Sequence, residues 1–162
     1  MTAAPLYSFP ARMESLGRML LLVRAAAVDA EPSAALRAET ALEELLTNTV
    51  VHGGVKQSAG ALVWLRVVAD ADVLRLHYED ACPAFDPRPK IEEALERTTN
   101  PMDQRPLGGL GLLMVCRLSD ELHYQREHGR NCIDLDFRAG RNRQVLATAA
   151  SAGISPPWRP KP

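Results

Sequence analysis

Three polar residues recur at intervals of four in the stretch ALEELLTNTVVHGG, residues 41–54: Glu44, Asn48 and His52. Side chains four apart on an α-helix lie on neighbouring turns of one face, so a carboxylate, an amide and an imidazole form one polar row. The row can be an ordinary solvated helix face. Asparagine is unfavourable inside a helix, however, and its amide oxygen, with phosphate oxygens and water, suits a hard cation such as Mg²⁺.

Two further stretches carry residue types that bind bases or anions. Asp80 lies in EDACPAFDP, where the β-rich run VLRLHYE ends. A carboxylate there can accept a hydrogen bond from an exocyclic amine, although aspartate is also a common turn residue. The run LGGLGL, residues 107–112, precedes an apolar helix, where glycines let backbone N–H groups approach an anion or simply form a flexible turn. Neither the P-loop pattern nor the Rossmann fingerprint fits these glycines.

The hydrophobic periodicity predicts the elements that must position these residues. We predict strands over 6–9, 61–69, 73–79, 121–127 and 131–138, and helices over 11–28, 34–52, 90–97 and 110–119. Ser33 is the expected N-cap of the second helix, and Gly53-Gly54 supplies the left-handed residue that ends it.

Tight turns can join most neighbouring strands, because Asp70-Ala71-Asp72 and HGRN are hairpin signals. Residues 98–109 have no periodicity and two prolines, so we expect a mobile connector. Since helices do not alternate strictly with strands, the predicted fold is α+β: a two-layer sandwich whose mixed or antiparallel sheet is covered by helices on one face. The predicted domain spans residues 1–138. Residues 139–162 are predicted to be a poorly packed C-terminal tail, with a short helix near 143–150 as an option.

Composition excludes several classes of protein. The chain has 162 residues, 46% hydrophobic and 24% charged, which fits one soluble domain. A net charge of −1 gives no basic excess for nucleic acid, and no apolar run has the length of a membrane span. Cys82, Cys116 and Cys132 form neither a metal-ligand pair nor a disulfide framework. With no secretory signal pattern, we expect a cytoplasmic protein that contacts neither membrane nor nucleic acid directly.

Taken together and in this order, the motifs resemble those of the histidine-kinase-like (GHKL) ATPase superfamily. More narrowly, the chain resembles the bacterial anti-sigma-factor serine/threonine protein kinases. EELLTNTVVHG is similar to their E-x-x-x-N-x-x-x-H helix, and GGLGLLMVCRLSDELHYQREHGRN to their glycine motif, helix and final hairpin. DACPAFDP matches their D-x-G-x-x-F-D-P loop except at Cys82. The resemblance runs from about Leu6 to Phe137.

The resemblance implies ATP and Mg²⁺ as cofactors and a role for each motif. Asn48 would hold the metal ion on the phosphates, and Glu44 would be the general base that takes the proton from a substrate serine hydroxyl. Asp80 would accept a hydrogen bond from the adenine amino group. Because no helix carries a phosphoacceptor histidine, a true two-component histidine kinase is disfavoured.

The remaining implied site residues surround the phosphates. Gly108, Gly109 and Gly111 would bind them through backbone amides. Arg105 lies in the lid that precedes the glycines, where its charge and position favour pairing with a phosphate oxygen. His52 would line the same groove or only orient the end of its helix.

Cys82 departs from the family pattern. A glycine there would allow a positive φ or a close approach to the nucleotide, and a cysteine forced to positive φ costs roughly 1–2 kcal/mol. Alternatively, the loop takes a conformation that cysteine can adopt.

Two classes of function follow from the resemblance. The first is an anti-sigma factor with kinase activity, which sequesters a sigma factor and phosphorylates a STAS-type anti-sigma antagonist on serine. The second is a catalytically weak or inactive nucleotide-binding partner-switching module of the same fold. Glu44 and Asn48 favour the kinase, whereas Cys82 favours the module.

A homodimer is a further expectation. Leu20, Leu21, Leu22 and Val23 run consecutively, so one helix face cannot bury them all against a single sheet. Either two helices packed side by side cover the run, or the run lies at or beside a twofold interface. The resemblance favours the interface, because related kinases are dimers that use their N-terminal elements.

Overall fold

The structure, a computed structural model, describes residues 4–54, 60–70, 72–98 and 110–140, excluding the side chains of residues 97 and 98. The elements follow the predicted order. They are β1 (Tyr7–Pro10), α1 (Leu16–Ala26), α2 (Pro32–His52), β2 (Leu62–Asp70), β3 (Val73–Asp80), α3 (Arg88–Thr98), α4 (Leu110–Leu118), β4 (Glu121–Glu127) and β5 (Arg130–Arg138). The predicted connector falls almost entirely outside these ranges, and so does the tail beyond residue 140.

The five strands form one sheet in the order β1-β2-β3-β5-β4, and every neighbouring pair is antiparallel. The predicted α+β sandwich is therefore confirmed, with an antiparallel rather than a mixed sheet. The β4–β5 hairpin turns at His128 and Gly129, which both have positive φ. Because β5 returns between β3 and the edge strand β4, Asn131 lies opposite Asp80.

One face of the sheet forms the core with the helices. Alternate residues of β3 and β5 point into it and are almost fully buried: Leu74, Leu76, Tyr78, Ile133, Leu135 and Phe137. The longest helix, α2, contributes a matching buried stripe: Ala34, Ala38, Ala41, Leu42, Leu45, Leu46 and Thr49. Burying apolar surface contributes about 25 cal/mol per Å², so this stripe fixes the rotation of α2. Glu44 and Asn48 are only partly buried.

The start of α2 differs from the prediction. Glu31, not Ser33, is the N-cap, and its carboxylate accepts hydrogen bonds from the backbone N–H groups of Ser33 and Ala34 at 3.1 and 3.2 Å. Pro32 occupies the first helical position, which requires no N–H donor. The helix therefore begins two residues before the predicted start. At the other end, Gly54 has a φ of 73°, as expected of the residue that stops the helix.

The first helix also begins later than predicted. A 3₁₀ turn spans Met13–Ser15, and α1 starts at Leu16. The cause is Ser15, which is buried and whose hydroxyl donates to the carbonyl of Pro10 at 2.7 Å. That hydrogen bond ties the chain to β1 before the helix begins.

Most of the consecutive apolar run in α1 is covered. Val23 is fully buried, and Leu20 and Leu22 are partly buried against the core. Leu21 is 62% exposed. Packing of α1 against both α2 and the sheet thus covers three of the four residues, and Leu21 alone of them faces outward.

Candidate functional site

The first turn of α4 lies directly against the polar row of α2. A Cβ atom built on Gly111 would overlap the carboxylate oxygen Oε2 of Glu44 and would lie 3.8 Å from Nδ2 of Asn48. Only glycine leaves the carboxylate this close to the backbone of α4. The structure therefore brings together residues from two motifs that are far apart in the sequence.

The side-chain amide nitrogen of Asn48 is unusual in its hydrogen bonding. This atom, Nδ2, is buried and has no hydrogen-bond partner within the described part of the chain. Buried polar atoms are normally paired, and leaving one unpaired costs roughly 1–3 kcal/mol. An unpaired donor of this kind is available to a ligand. The carbonyl oxygen of the same amide is a ligand type that Mg²⁺ takes, so the residue fits the predicted metal site.

Asp80 ends β3 and is buried. Its Oδ1 accepts hydrogen bonds from the backbone N–H of Cys82 at 2.9 Å and from Nδ2 of Asn131 at 2.8 Å. Its Oδ2 has a longer contact of 3.4 Å with the hydroxyl of Thr49. Since Thr49 follows Asn48 in α2, one helix turn contacts both Asp80 and Gly111 of α4.

A buried hydroxyl chain supports Asp80. The hydroxyls of Thr49 and Tyr78 are 2.7 Å apart. Burial raises the pKa of Tyr78 well above its ordinary value, and the nearby charge of Asp80 raises it further. Because the single hydroxyl proton of Thr49 is donated to Oδ2 of Asp80, the Tyr78 hydroxyl donates to Thr49.

The loop that follows Asp80 accommodates Cys82 without strain. His128 is the one non-glycine residue with positive φ in the described ranges, so the loop takes a conformation open to cysteine. The alternative that required a positive φ is wrong. The carbonyl of Cys82 accepts from Nη1 of Arg126 at 2.8 Å, which anchors the loop to β4.

The thiol of Cys82 is buried and unreactive. Burial first, and the charge of Asp80 second, raise its pKa to about 12. A thiol with that pKa is protonated at neutral pH and is a poor nucleophile.

Sequence reasoning missed four residues around the end of β3: Thr49 and Asn131 contact Asp80, and Tyr124 and Arg126 contact Asn131. The strand pattern could have identified Asn131. Alternate residues of a strand face the same side of the sheet, so Asn131 faces the core together with the buried residues Ile133 and Leu135 of β5. A polar residue at a core-facing position indicates a built site.

The other predicted site residues divide into two groups. His52 is exposed in the last turn of α2, so its place in the groove stays a prediction. Arg105, Gly108 and Gly109 lie outside the described residues, and their predicted phosphate contacts are not tested.

Residues 9–137 match a family model described as the histidine kinase-like ATPase domain. The chain belongs to this family. The matched segment begins in β1 and ends in β5, so it includes Glu44, Asn48, Asp80 and Gly111. No curated protein matches the sequence.

One solved structure extends the comparison of the fold. The chain is similar to the crystal structure of the RsbU and RsbW domains of Rv1364c from Mycobacterium tuberculosis, with a TM-score of 0.50 and 17% sequence identity. The alignment covers 83% of this chain and 32% of that chain. At this identity, the likeness concerns the fold. Among the described residues, every helix is too short or too polar to cross a bilayer.

Proposed function

We propose that this histidine kinase-like ATPase domain binds ATP with Mg²⁺ between α2, the end of β3 and the start of α4, and phosphorylates a protein on serine. One observation carries the proposal: Glu44 and Asn48 both lie against Gly111, and a Cβ on Gly111 would fill that space. The amide nitrogen of Asn48, which is unpaired among the described residues, supports it, because it is a donor that phosphate oxygens could use.

The proposed roles follow from the chemistry of phosphoryl transfer, which depends on positioning and charge neutralisation. When bound, Mg²⁺ supplies neutralising charge to the phosphates, and the carbonyl oxygen of Asn48 would hold it. Glu44, one turn earlier, would accept the proton of the serine hydroxyl as general base. Asp80 would accept a hydrogen bond from the amino group of adenine.

The phosphate contacts are proposed on the glycine-rich stretch before α4. Gly108, Gly109 and Gly111 would offer backbone N–H groups near a helix N-terminus, where negative charge is favoured. Arg105 would pair with a phosphate oxygen, and His52 would line the open end of the groove.

We further propose that the chain is a cytoplasmic anti-sigma factor. Its partners would be a sigma factor, which the nucleotide-bound form sequesters, and a STAS-type antagonist, which it phosphorylates. The motif resemblance supports this, and so does the fold likeness to a structure that contains an RsbW domain. A homodimer is part of the same proposal.

A second candidate is a nucleotide-binding module with weak or no transfer activity. The observation in its favour is that protein groups already donate to both oxygens of Asp80. An occupied carboxylate would bind adenine less tightly than a free one.

Calorimetry with ATP, with and without Mg²⁺, tests binding. Transfer of the γ-phosphate to the cognate antagonist, compared between the wild type and Glu44→Gln, tests catalysis. We expect Mg²⁺-dependent binding in both proteins and transfer only in the wild type. Absence of Mg²⁺-dependent ATP binding in the wild type would overturn the proposal. Binding without transfer would support the second candidate.

A further inference from the structure

We propose that Asn131 is a positioning residue that holds Asp80 as a fixed hydrogen-bond acceptor, so that the site prefers 6-amino purines over 6-oxo purines. This inference rests on the proposed nucleotide binding and deepens it. It assigns a role to a residue 51 positions away from Asp80 in the chain, at the end of the quoted glycine-motif-to-hairpin stretch, where the resemblance implies no role for it.

Asn131 is placed by the sheet itself. It lies opposite Asp80 in the β3–β5 ladder and is 2% exposed. Its Nδ2 donates to Oδ1 of Asp80 at 2.8 Å and to the carbonyl of Pro83 at 3.1 Å. One side chain therefore bonds both the predicted base-site residue and the loop that follows it.

The hydrogen bonds to Oδ1 of Asn131 fix the orientation of its side-chain amide. Three donors converge on its Oδ1: the backbone N–H of Phe85 at 3.0 Å, the hydroxyl of Tyr124 at 3.0 Å and Nη1 of Arg126 at 2.8 Å. A flipped amide would turn its N–H groups toward three donors and its oxygen toward a carboxylate. The nitrogen must therefore face Asp80.

This arrangement leaves the two oxygens of Asp80 unequal. Oδ1 receives two donors, from Cys82 and Asn131, whereas among the described residues Oδ2 has only the 3.4 Å contact with Thr49. Oδ2 is thus the oxygen left to bind a further donor. The 6-amino group of adenine supplies a donor. The 6-oxo group of hypoxanthine is an acceptor, so it would face the Asp80 carboxylate without forming a hydrogen bond.

Asn131→Asp is the sharpest test. The new carboxyl group keeps an oxygen for the three donors but places a second oxygen 2.8 Å from Asp80, where the amide nitrogen was. When protonated, it can donate to Asp80 as the amide did. When ionised, it repels Asp80, which raises its pKa, whereas Arg126 and the two other donors on the retained oxygen lower it.

We expect ATP binding by Asn131→Asp to fall by on the order of tenfold or more at about pH 8, and by no more than that at about pH 6, where a larger fraction of the new carboxyl group is protonated. The wild type at each pH corrects for ionisation of the nucleotide itself. The other titratable groups around the pair are Tyr78, Cys82, Tyr124, Asp86 and Arg126. The pKa values of Tyr78, Cys82 and Tyr124 are raised and that of Asp86 is lowered, away from this range, and arginine stays charged.

Leu135→Val is the matched control, because Leu135 lies on the same face of β5, is fully buried and is absent from the contacts of Asp80. It should lose stability without changing the pH dependence of ATP binding. Asn131→Ser, which keeps a donor on a shorter side chain, is the second variant. It should lower the preference for ATP over inosine triphosphate, which we expect to be roughly 10- to 100-fold in the wild type.

Two results would overturn the inference. One is an Asn131→Asp protein that binds ATP as tightly as the wild type at about pH 8. The other is an Asn131→Ser protein with the wild-type preference for ATP, which decides the matter even if Asn131→Asp does not fold. A wild type that binds no ATP would instead overturn the proposed function, together with this inference.

Discussion

The α-carbon of Gly53 lies against the thiol of Cys82. A Cβ atom on Gly53 would overlap both this sulfur and the carbonyl oxygen of Thr49. The residue that ends α2 and the residue that departs from the family loop are therefore matched in size. A small residue at one position makes room for the larger residue at the other.

Gly53→Ala should lower the free energy of unfolding by about 1–3 kcal/mol, the usual cost of overpacking. Adding Cys82→Gly should recover part of this loss, because the sulfur is removed while the contact with the Thr49 carbonyl remains. Urea unfolding of the two single variants and the double variant measures the coupling. Strictly additive losses would contradict the proposed match.

Asn48→Ala should abolish Mg²⁺-dependent ATP binding without lowering stability. The substitution removes the proposed metal ligand and, with it, a buried amide nitrogen that has no partner in the described structure. Calorimetry and thermal unfolding should be run on the same samples. An unchanged Mg²⁺-dependent affinity of Asn48→Ala for ATP would show that Asn48 does not bind the metal ion. A large loss of stability would indicate a structural role.

Glu44→Gln keeps the size of the side chain but cannot take a proton. We expect ATP and partner binding to persist and phosphate transfer to fall by about 10²–10⁴-fold, the usual contribution of a general base. Rates of transfer to the antagonist, measured at saturating ATP, test this. A wild-type rate of transfer in Glu44→Gln would show that Glu44 is not the general base.

Gly111→Ala should displace the Glu44 carboxylate, which is the end of a flexible side chain, and so reduce transfer while the fold survives. Gly17→Ala is the matched control, because a Cβ there meets nothing within 4 Å. The control should keep full transfer and gain roughly 0.5–1 kcal/mol of helix stability. Equal transfer by both variants would contradict the proposed contact.

His77 lies on the opposite face of the sheet, between Asp134 at 2.6 Å and Glu79 at 2.9 Å. The hydrogen bond to Asp134 is the largest cause of its raised pKa. The stabilisation is therefore fully present below about pH 6.5, the ordinary value, and is lost as pH rises through the folded-state pKa. His77→Gln should remove this part of the pH dependence, measured by urea unfolding across neutral pH. His52→Gln, at an exposed histidine, should leave it in place.

Leu21→Glu should split a homodimer without unfolding the chain. Leu21 is exposed whereas Leu22 is partly buried against the core, and a charge in a twofold interface enters it twice. Leu22→Glu should instead lower stability. Sedimentation of all three proteins checks this. A monomeric wild type at high concentration, with and without ATP and Mg²⁺, would show that no such interface exists.

The sequence by itself determined the local features of the site. The period of α2 places Glu44 and Asn48 on one row beside a buried stripe, and the alternation in β3 places Asp80 at a strand end. These patterns are local, because each follows from the geometry of a single helix or strand. The α+β class followed for the same reason, from the order of the segments.

Only the tertiary structure decided which distant residues meet. The contacts of Gly111 with Glu44, of Cys82 with Gly53 and of Asn131 with Asp80 depend on helix packing and on the return of β5 between β3 and β4. A strand register is fixed by burying one face of the whole sheet, and a slip of one residue would turn Asn131 away from Asp80. No single segment contains that information, because the burial that selects the register is shared by all the elements that pack on the sheet.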